Sequence, residues 1–280
     1  MIGTLIKIEL FKILKKWRTY IGFIAIGLLV ALIQIAFYFE GQDSVNYLTR
    51  NLKSSFLLVG NLLNVFLISY FILNMLAVHI PFLITLVAGD LLAGEATGGT
   101  YRMLLTRPVS RMQIVTSKFI AGNIYTFFLI LWLAIISIGV GELLFGTGEL
   151  IVRGSDAIII FDRSDVLWRF ILAYSYAYLG MSVVCSLAFF FSSLVENAIG
   201  PIIVTMAIVI VFVIISAINI DIFKTIKPYL FTNYILSWRL FFDDPVKTSK
   251  IFEAVLILLG HSAVLYAVTA IIFRRKDILS

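Results

Sequence analysis

Residues 199–218 read IGPIIVTMAIVIVFVIISAI, and none of these side chains is charged. A helix rises about 1.5 Å per residue, so a run of this length covers the roughly 30 Å of hydrocarbon in a bilayer. A helix at the surface of a soluble domain keeps one polar face, and this run has none. The stretch therefore predicts a membrane-spanning helix.

The same pattern recurs along the chain. We predict six spans, at 20–39, 62–87, 119–145, 167–191, 199–218 and 254–273. The composition agrees, because 61% of the 280 residues are hydrophobic and 14% are charged, with a mean hydropathy of +1.05. Soluble domains are about 45–50% apolar. The connections are too short for a catalytic domain, so we expect a single all-α integral membrane domain over 1–280 with six transmembrane helices.

Residues 1–18 predict an amphipathic helix that lies in the membrane interface. Its apolar side carries Ile2, Ile6, Leu10, Ile13, Leu14 and Trp17, and its basic side carries Lys7, Lys12, Lys15 and Lys16. We expect the lysines to face anionic lipid. A cleaved signal peptide fits poorly, because the apolar stretch is too long and no small-residue cleavage site follows it.

The basic residues indicate the orientation of the chain. If the N-terminus is cytoplasmic, 12 of the 22 Lys and Arg residues fall on the inner side, and we predict that both termini are cytoplasmic. The net charge of +6 is then explained by membrane orientation, so we expect no nucleic-acid partner. One connection, 219–253, departs from the pattern because it carries five basic residues on the outer side.

The connection 219–253 is also unusually apolar and aromatic for a loop. Two structures fit it equally well. It could be a re-entrant segment before the last span, which requires burial against protein or a cavity lining. It could instead be an amphipathic helix that lies flat on the outer leaflet.

Reactive groups are scarce in the spans. His79 and His261 are the histidines inside them, and we expect hydrogen-bonded roles for both rather than a shared haem. The sequence has no phosphate-binding G-x-x-x-x-G-K-[ST] motif, no H-E-x-x-H and no G-x-S-x-G. We therefore expect no catalytic, cofactor-binding or metal-binding residues. Pro81 is expected to kink the second span.

The connection between the second and third spans, 89–118, reads GDLLAGEATGGTYRMLLTRPVSRMQIVTSK and is called the elbow below. Its Gly98-Gly99 pair should end any helix that continues from the second span. Ser110 and Gln113 form a capping box, and Pro108 precedes it. These features predict a rigid connection that fixes where the third span begins.

The elbow resembles the signature of the ABC-2 type ABC transporter permeases. The resemblance rests on Asp90, Glu95, Gly99-Thr100, Leu104-Leu105, Pro108-Val109-Ser110-Arg111 and Lys118, at the place where that family carries its signature. The interfacial helix, the six spans and the apolar segment before the last span extend it to nearly the whole chain. The Gly98-Gly99 pair departs from the family pattern.

The resemblance implies a permease subunit in a bacterial cytoplasmic (inner) membrane. It would be an exporter that dimerises with a second permease chain and works with separate ABC ATPase subunits that bind the ATP, so the chain itself would not be an enzyme. The lack of charge within the spans would suit a hydrophobic or amphipathic substrate. A second cytoplasmic contact with the ATPase would lie in the short connection after the fourth span. There Ser193 and Glu196 have the spacing of another capping box. The residues expected to couple to the ATPase are Asp90, Glu95, Thr100, Arg102, Arg107, Pro108, Ser110, Arg111 and Glu196.

Two further expectations follow from the same residues. Lys118 should extend to the membrane surface, while Glu95 and the arginines of the elbow should pair with a groove on the ATPase. The alternative function, from another class, is a non-transporting scaffold or sensor subunit of a multiprotein complex. ATPase subunits that co-purify with the chain would favour the transporter.

Overall fold

The computed structural model describes residues 2–53, 61–76, 78–100, 109–153 and 158–276. The longer helices are α1 (Ile2–Lys15), α2 (Trp17–Lys53), α3 (Val65–Leu76), α4 (His79–Ala88), α5 (Asp90–Thr97), α6 (Arg111–Ala134), α7 (Arg163–Leu194), α8 (Ile199–Ala217) and α9 (Thr248–Arg275). A π-helix, Ile135–Val140, and a short helix, Gly141–Phe145, extend α6. Short helical pieces, Asp221–Lys224, Lys227–Tyr229, Phe231–Ile235 and Leu236–Phe242, precede α9.

The part of the chain that the structure describes contains six helical stretches long and apolar enough to cross a membrane. They are Trp17–Gln42, His79–Thr97, Arg111–Phe145, Arg163–Leu194, Ile199–Ala217 and Thr248–Arg275. The predicted all-α membrane fold is thereby confirmed. One small addition is a hairpin of β1 (Leu150–Arg153) and β2 (Ile158–Phe161), paired antiparallel with Leu150 opposite Phe161.

Two of the six stretches form the centre of the bundle. The apolar windows of His79–Thr97 and Arg163–Leu194 are each 67% buried, against 17–28% for the other four. Helix α7 packs against α4, α6, α8 and α9. The peripheral helices therefore leave broad apolar faces uncovered within one chain.

The second span differs from the single helix predicted over 62–87. Helix α3 ends at Leu76 and α4 begins at His79, so Pro81 lies in the first turn of a new helix, where its missing N–H costs little. One carbonyl at the end of α3 has a local partner, because His79 Nδ1 lies 3.0 Å from Met75 O. The stretch that is long enough to cross the membrane is His79–Thr97.

The π-helix in the third span also has a local partner. Gln34 Nε2 on α2 donates to the carbonyl oxygens of Ile136 (3.3 Å) and Ser137 (3.2 Å). A π-helix weakens the regular ladder of i to i−4 bonds, and the amide supplies donors to the affected carbonyls. The Ser137 hydroxyl lies 2.6 Å from the Tyr174 hydroxyl, which joins this turn to α7.

The segment before the last span buries its aromatic side chains against protein. Trp238 and Phe242 are each 1% exposed, and the Phe242 ring packs edge-on against Tyr70 and Phe170. Arg169 on α7 holds the segment by donating to Phe241 O (2.6 Å) and Asp243 O (3.1 Å). The packing meets the condition for a re-entrant segment, and the re-entrant path itself stays a prediction.

Candidate coupling site between α1, α5 and α6

The first part of the elbow is helical and continues from the second span. Gly89 keeps helical dihedral angles (φ −66°, ψ −22°), so α5 follows α4 without a loop. Helix α5 ends at Thr97, and Gly99 then takes φ +62°, in the left-handed region that favours glycine. The glycine pair therefore ends the helix as predicted.

Four charged side chains from three helices meet beside α5. Lys118 Nζ on α6 contacts Glu9 Oε2 on α1 (2.7 Å) and Glu95 Oε1 on α5 (2.8 Å). Lys12 Nζ on α1 contacts the same two carboxylates, at 3.0 Å for Glu9 and 2.8 Å for Glu95. We call Glu9, Lys12, Glu95 and Lys118 the Lys118 cluster. It joins two cations to two anions, so it is electrically neutral.

Burial makes the Lys118 cluster different from a surface network. The Lys118 side chain is 1% exposed, and those of Glu9 and Glu95 are 7% and 11% exposed. A buried ammonium group is costly unless it is paired, and two carboxylates pair this one. The expectation that Lys118 extends to the membrane surface was therefore wrong.

Glu95 was expected to face a partner, and the structure places its carboxylate inside the chain. In addition to the two lysines, the Thr100 hydroxyl contacts the Glu95 carboxylate, and Thr100 N donates to Glu95 O (3.0 Å). Lys12 shows the effect of these carboxylates. Burial lowers the pKa of its ammonium group, but the hydrogen bond that Lys12 donates to Glu95 and the charge of Glu9 outweigh burial and raise that pKa above its ordinary value.

A second group of charges lies at the junction of α1 and α2. Asp90 Oδ2 contacts Lys16 Nζ (2.6 Å), and Asp90 Oδ1 contacts Arg18 Nη1 (3.1 Å). We call Lys16, Arg18 and Asp90 the Asp90 triad. Gly94 makes room for it, because a Cβ there would lie 2.4 Å from Asp90 Oδ1. A cavity of about 20 Å³, room for one water molecule, lies between the triad and the Lys118 cluster.

Helix α5 is also fixed to the end of α7. The Ser192 hydroxyl accepts hydrogen bonds from Leu92 N (3.0 Å) and Ala93 N (2.8 Å) and donates to Gly89 O (2.6 Å). The Thr97 hydroxyl donates to Glu196 O (2.6 Å), while the Glu196 side chain is exposed. Sequence reasoning missed Ser192, because a serine at the end of an apolar run carries no signal of a partner 99 residues away.

The other predicted site residues have mixed outcomes. Ser110 caps α6, and its capping box with Gln113 is formed in both directions, as predicted. Arg111 Nη1 donates to Arg274 O (3.2 Å) and Lys276 O (2.6 Å), so it satisfies the last carbonyls of α9 instead of extending outward. The predicted Arg102, Arg107 and Pro108 lie outside the described residues.

The second predicted capping box was wrong. Ser193 lies in the last turn of α7 and donates to Phe190 O (2.6 Å), so it does not begin a helix. Helix α8 begins at Ile199, whose N–H is accepted by Asn197 Oδ1 (2.9 Å). The polar residue that starts this helix is therefore Asn197, an equally common choice at such positions.

The site is suited to holding helices together. Within the ranges that the structure describes, no group of three or more His, Cys, Asp or Glu residues could hold a metal ion. The fold and the site together define a class of protein. It is a six-span helical membrane protein in which buried ion pairs hold the elbow that follows the second span.

Comparison with known proteins narrows the class. Residues 4–278 match the model of the ABC-2 family transporter protein, so the chain belongs to the ABC-2 family, as the elbow indicated. It is therefore a multi-pass membrane subunit of the ABC transporter class. Over 118 residues it is 30% identical to the uncharacterized protein YhcI of Bacillus subtilis (strain 168). That alignment covers 40% of this chain and 37% of the relative, well under half of each.

Proposed function

We propose that this chain is the permease subunit of an ATP-driven exporter in a bacterial cytoplasmic membrane. Separate ATPase subunits would bind and hydrolyse the ATP, and the elbow would receive their motion. Both termini would be cytoplasmic, because the basic residues of α1 and of the end of α9 then lie on the inner side.

The observation that carries the proposal is the pair of contacts made by Lys118. Through them, α5 of the elbow is joined to the start of the third span and to α1. Separating such a buried pair costs about 3–5 kcal/mol. A displacement of α5 therefore moves α1 and α6 with it, which is what a connection that transmits force requires.

In this proposal, two of the elbow charges have a different role from the one that the sequence suggested. Glu95 and Arg111 are used within the chain, so they stabilise the shape of the elbow. Exposed groups beside the elbow would instead make the contact with the ATPase. Ser110 and Glu196 are exposed, and Thr97 joins the backbone of Glu196 to α5.

One feature of the chain supports a hydrophobic or amphipathic substrate, and a second supports a dimer. Uncharged groups make several of the polar contacts between α6, α7 and α9, such as Ser186 with Ser262 (2.6 Å) and Thr116 with Tyr266 (2.7 Å). The peripheral spans also leave apolar faces uncovered. Two chains related by a two-fold axis would cover part of these faces and enclose a pathway between them.

The test uses the chain purified from its native membrane together with the ATPase that accompanies it, and the complex is reconstituted in lipid. Glu95→Gln removes one anion of the Lys118 cluster, and we expect normal membrane insertion, retained basal ATPase activity and loss of most of the substrate-stimulated activity. Glu142→Gln is the matched control, because it makes the same change at an exposed position in the third span, outside the Lys118 cluster.

Two results would contradict the proposal. Full stimulation in the Glu95→Gln complex would remove the coupling role of the cluster. A preparation in which no ATPase accompanies the chain, under conditions that preserve related complexes, would favour the scaffold or sensor alternative.

A further inference from the structure

We propose that the Asp90 triad forms a binding site for a phosphate group, with the headgroup of an anionic lipid as its occupant. The inference concerns a ligand at the junction of α1 and α2. It does not depend on transport or on an ATPase partner.

The site is a cavity of about 430 Å³ that is open on one side. Lys16, Trp17 and Arg18 line it from the α1–α2 junction, and Gly94 and Gly98 line it from α5. The glycines present no side chains to fill it. The space is sufficient for a phosphate group with part of a glycerol moiety.

The balance of charges around the cavity gives it a preference for an anionic ligand. Among the described acidic residues, only Asp90 lies within ion-pair distance of Lys16 and Arg18, so one carboxylate faces two cations. The neighbouring Lys118 cluster is neutral by itself. One positive charge at the cavity is therefore left without a matching anion, and a monoanionic phosphodiester would balance it.

The two cations also retain hydrogen-bond donors. The Asp90 side chain is 10% exposed, whereas Lys16 and Arg18 are 49% and 43% exposed. A guanidinium group has five N–H donors, and the bond of Arg18 to Asp90 uses one of them. The planar fork of arginine suits the oxygens of a phosphate group, and lysine adds a compact charge beside it.

The position of the cavity favours a lipid as the source of the phosphate. Trp17 is 75% exposed and is the first residue of the membrane-spanning stretch Trp17–Gln42. Tryptophan is enriched at the level of the lipid headgroups, where its ring meets the hydrocarbon and its N–H meets water. Lys16 and Arg18 flank it in sequence, so they lie at the depth of the lipid phosphates.

The experiment measures lipid binding to the full chain in detergent micelles by native mass spectrometry. The probes are phosphatidylglycerol, zwitterionic phosphatidylcholine and free inorganic phosphate. We expect phosphatidylglycerol to bind more tightly than phosphatidylcholine. One cation near the membrane surface contributes about fivefold in affinity for an anionic lipid. Lys16→Gln should therefore weaken the binding of phosphatidylglycerol by about that factor.

A matched control separates the site from general surface charge. Lys15→Gln removes the same charge from the neighbouring residue, whose ammonium lies 4.7 Å from the Phe11 ring and outside the cavity lining. It should leave the affinity within about twofold of the parent chain. Asp90→Asn should act in the opposite direction and tighten the binding of phosphatidylglycerol, because neither cation of the triad then has a carboxylate to balance its charge.

The outcomes are distinct. Competition by millimolar inorganic phosphate would support the site and identify free phosphate as an occupant. Equal binding of the two lipids would overturn the proposal, as would equal losses in Lys15→Gln and Lys16→Gln. If Asp90→Asn does not fold, the comparison of these two lysine variants still decides whether the cavity binds the lipid.

Discussion

Replacing Lys118 by Met tests whether the buried ion pairs stabilise the elbow. The substitution preserves most of the apolar stem and removes the charge that contacts Glu9 at 2.7 Å and Glu95 at 2.8 Å. Lys12 then remains as the cation that pairs with both carboxylates. Removing one partner of a buried ion pair typically costs about 3–5 kcal/mol, and we expect a loss of that size in the free energy of unfolding.

Lys12→Met provides the comparison within the same cluster. Lys12 contacts the same two carboxylates, but its side chain is 37% exposed, so solvent screens its contribution. We expect a loss of about 1 kcal/mol or less. A triple variant with Glu9→Gln, Glu95→Gln and Lys118→Met should recover most of the stability lost in the single variant, because no unpaired carboxylate remains.

The assay is equilibrium unfolding in mixed micelles, with a denaturing detergent as titrant and tryptophan fluorescence as signal. The cluster would not have the stabilising role assigned to it if Lys118→Met and Lys12→Met lost equal stability. A triple variant less stable than Lys118→Met would equally refute the reasoning, since it would show that the charges were not the source of the loss.

Three further predictions concern packing and topology. Gly22→Ala would place a Cβ 2.4 Å from Tyr125 Oη and should cost about 1–3 kcal/mol in the same assay, whereas Gly27→Ala, with no atom within 4 Å, should be neutral or slightly stabilising. Arg169→Lys should cost about 2 kcal/mol through lost bonds to Phe241 O and Asp243 O, while the exposed Arg163→Lys should cost little. A cysteine at Ser280, with Cys185 replaced by Ala, should resist membrane-impermeant thiol reagents in intact cells, and labelling there would contradict a cytoplasmic C-terminus.

Features determined by neighbouring residues could be read from the sequence. The capping box of Ser110 and Gln113 spans three residues, and Gly99 needs only its own backbone freedom to end α5. Five of the six apolar stretches are likewise local, because each meets lipid or protein along its own length. In all of these cases the deciding interaction lies within a turn or a single helix.

The contacts that build the site could not be read in this way. Lys118 and Glu9 are 109 residues apart, and Arg111 reaches carbonyls at the end of α9. A lysine beside an apolar run looks the same in sequence whether it extends to the surface or is buried with two carboxylates. The second capping box failed for a related reason, because packing against α5 prolongs α7 through Ser193.

The break between α3 and α4 has a consequence for the synthesis of the protein. Helix α3 has 12 residues and is about 18 Å long, too short to span the hydrocarbon alone. The stretch that follows, His79–Thr97, is the least apolar of the six and carries Asp90 and Glu95. The run 62–87 is apolar enough to enter the membrane as one segment, but the crossing in the folded chain is displaced towards the polar end of that run. We therefore expect the second crossing to reach its final position only after α7, which follows some 70 residues later and packs against it, has been made.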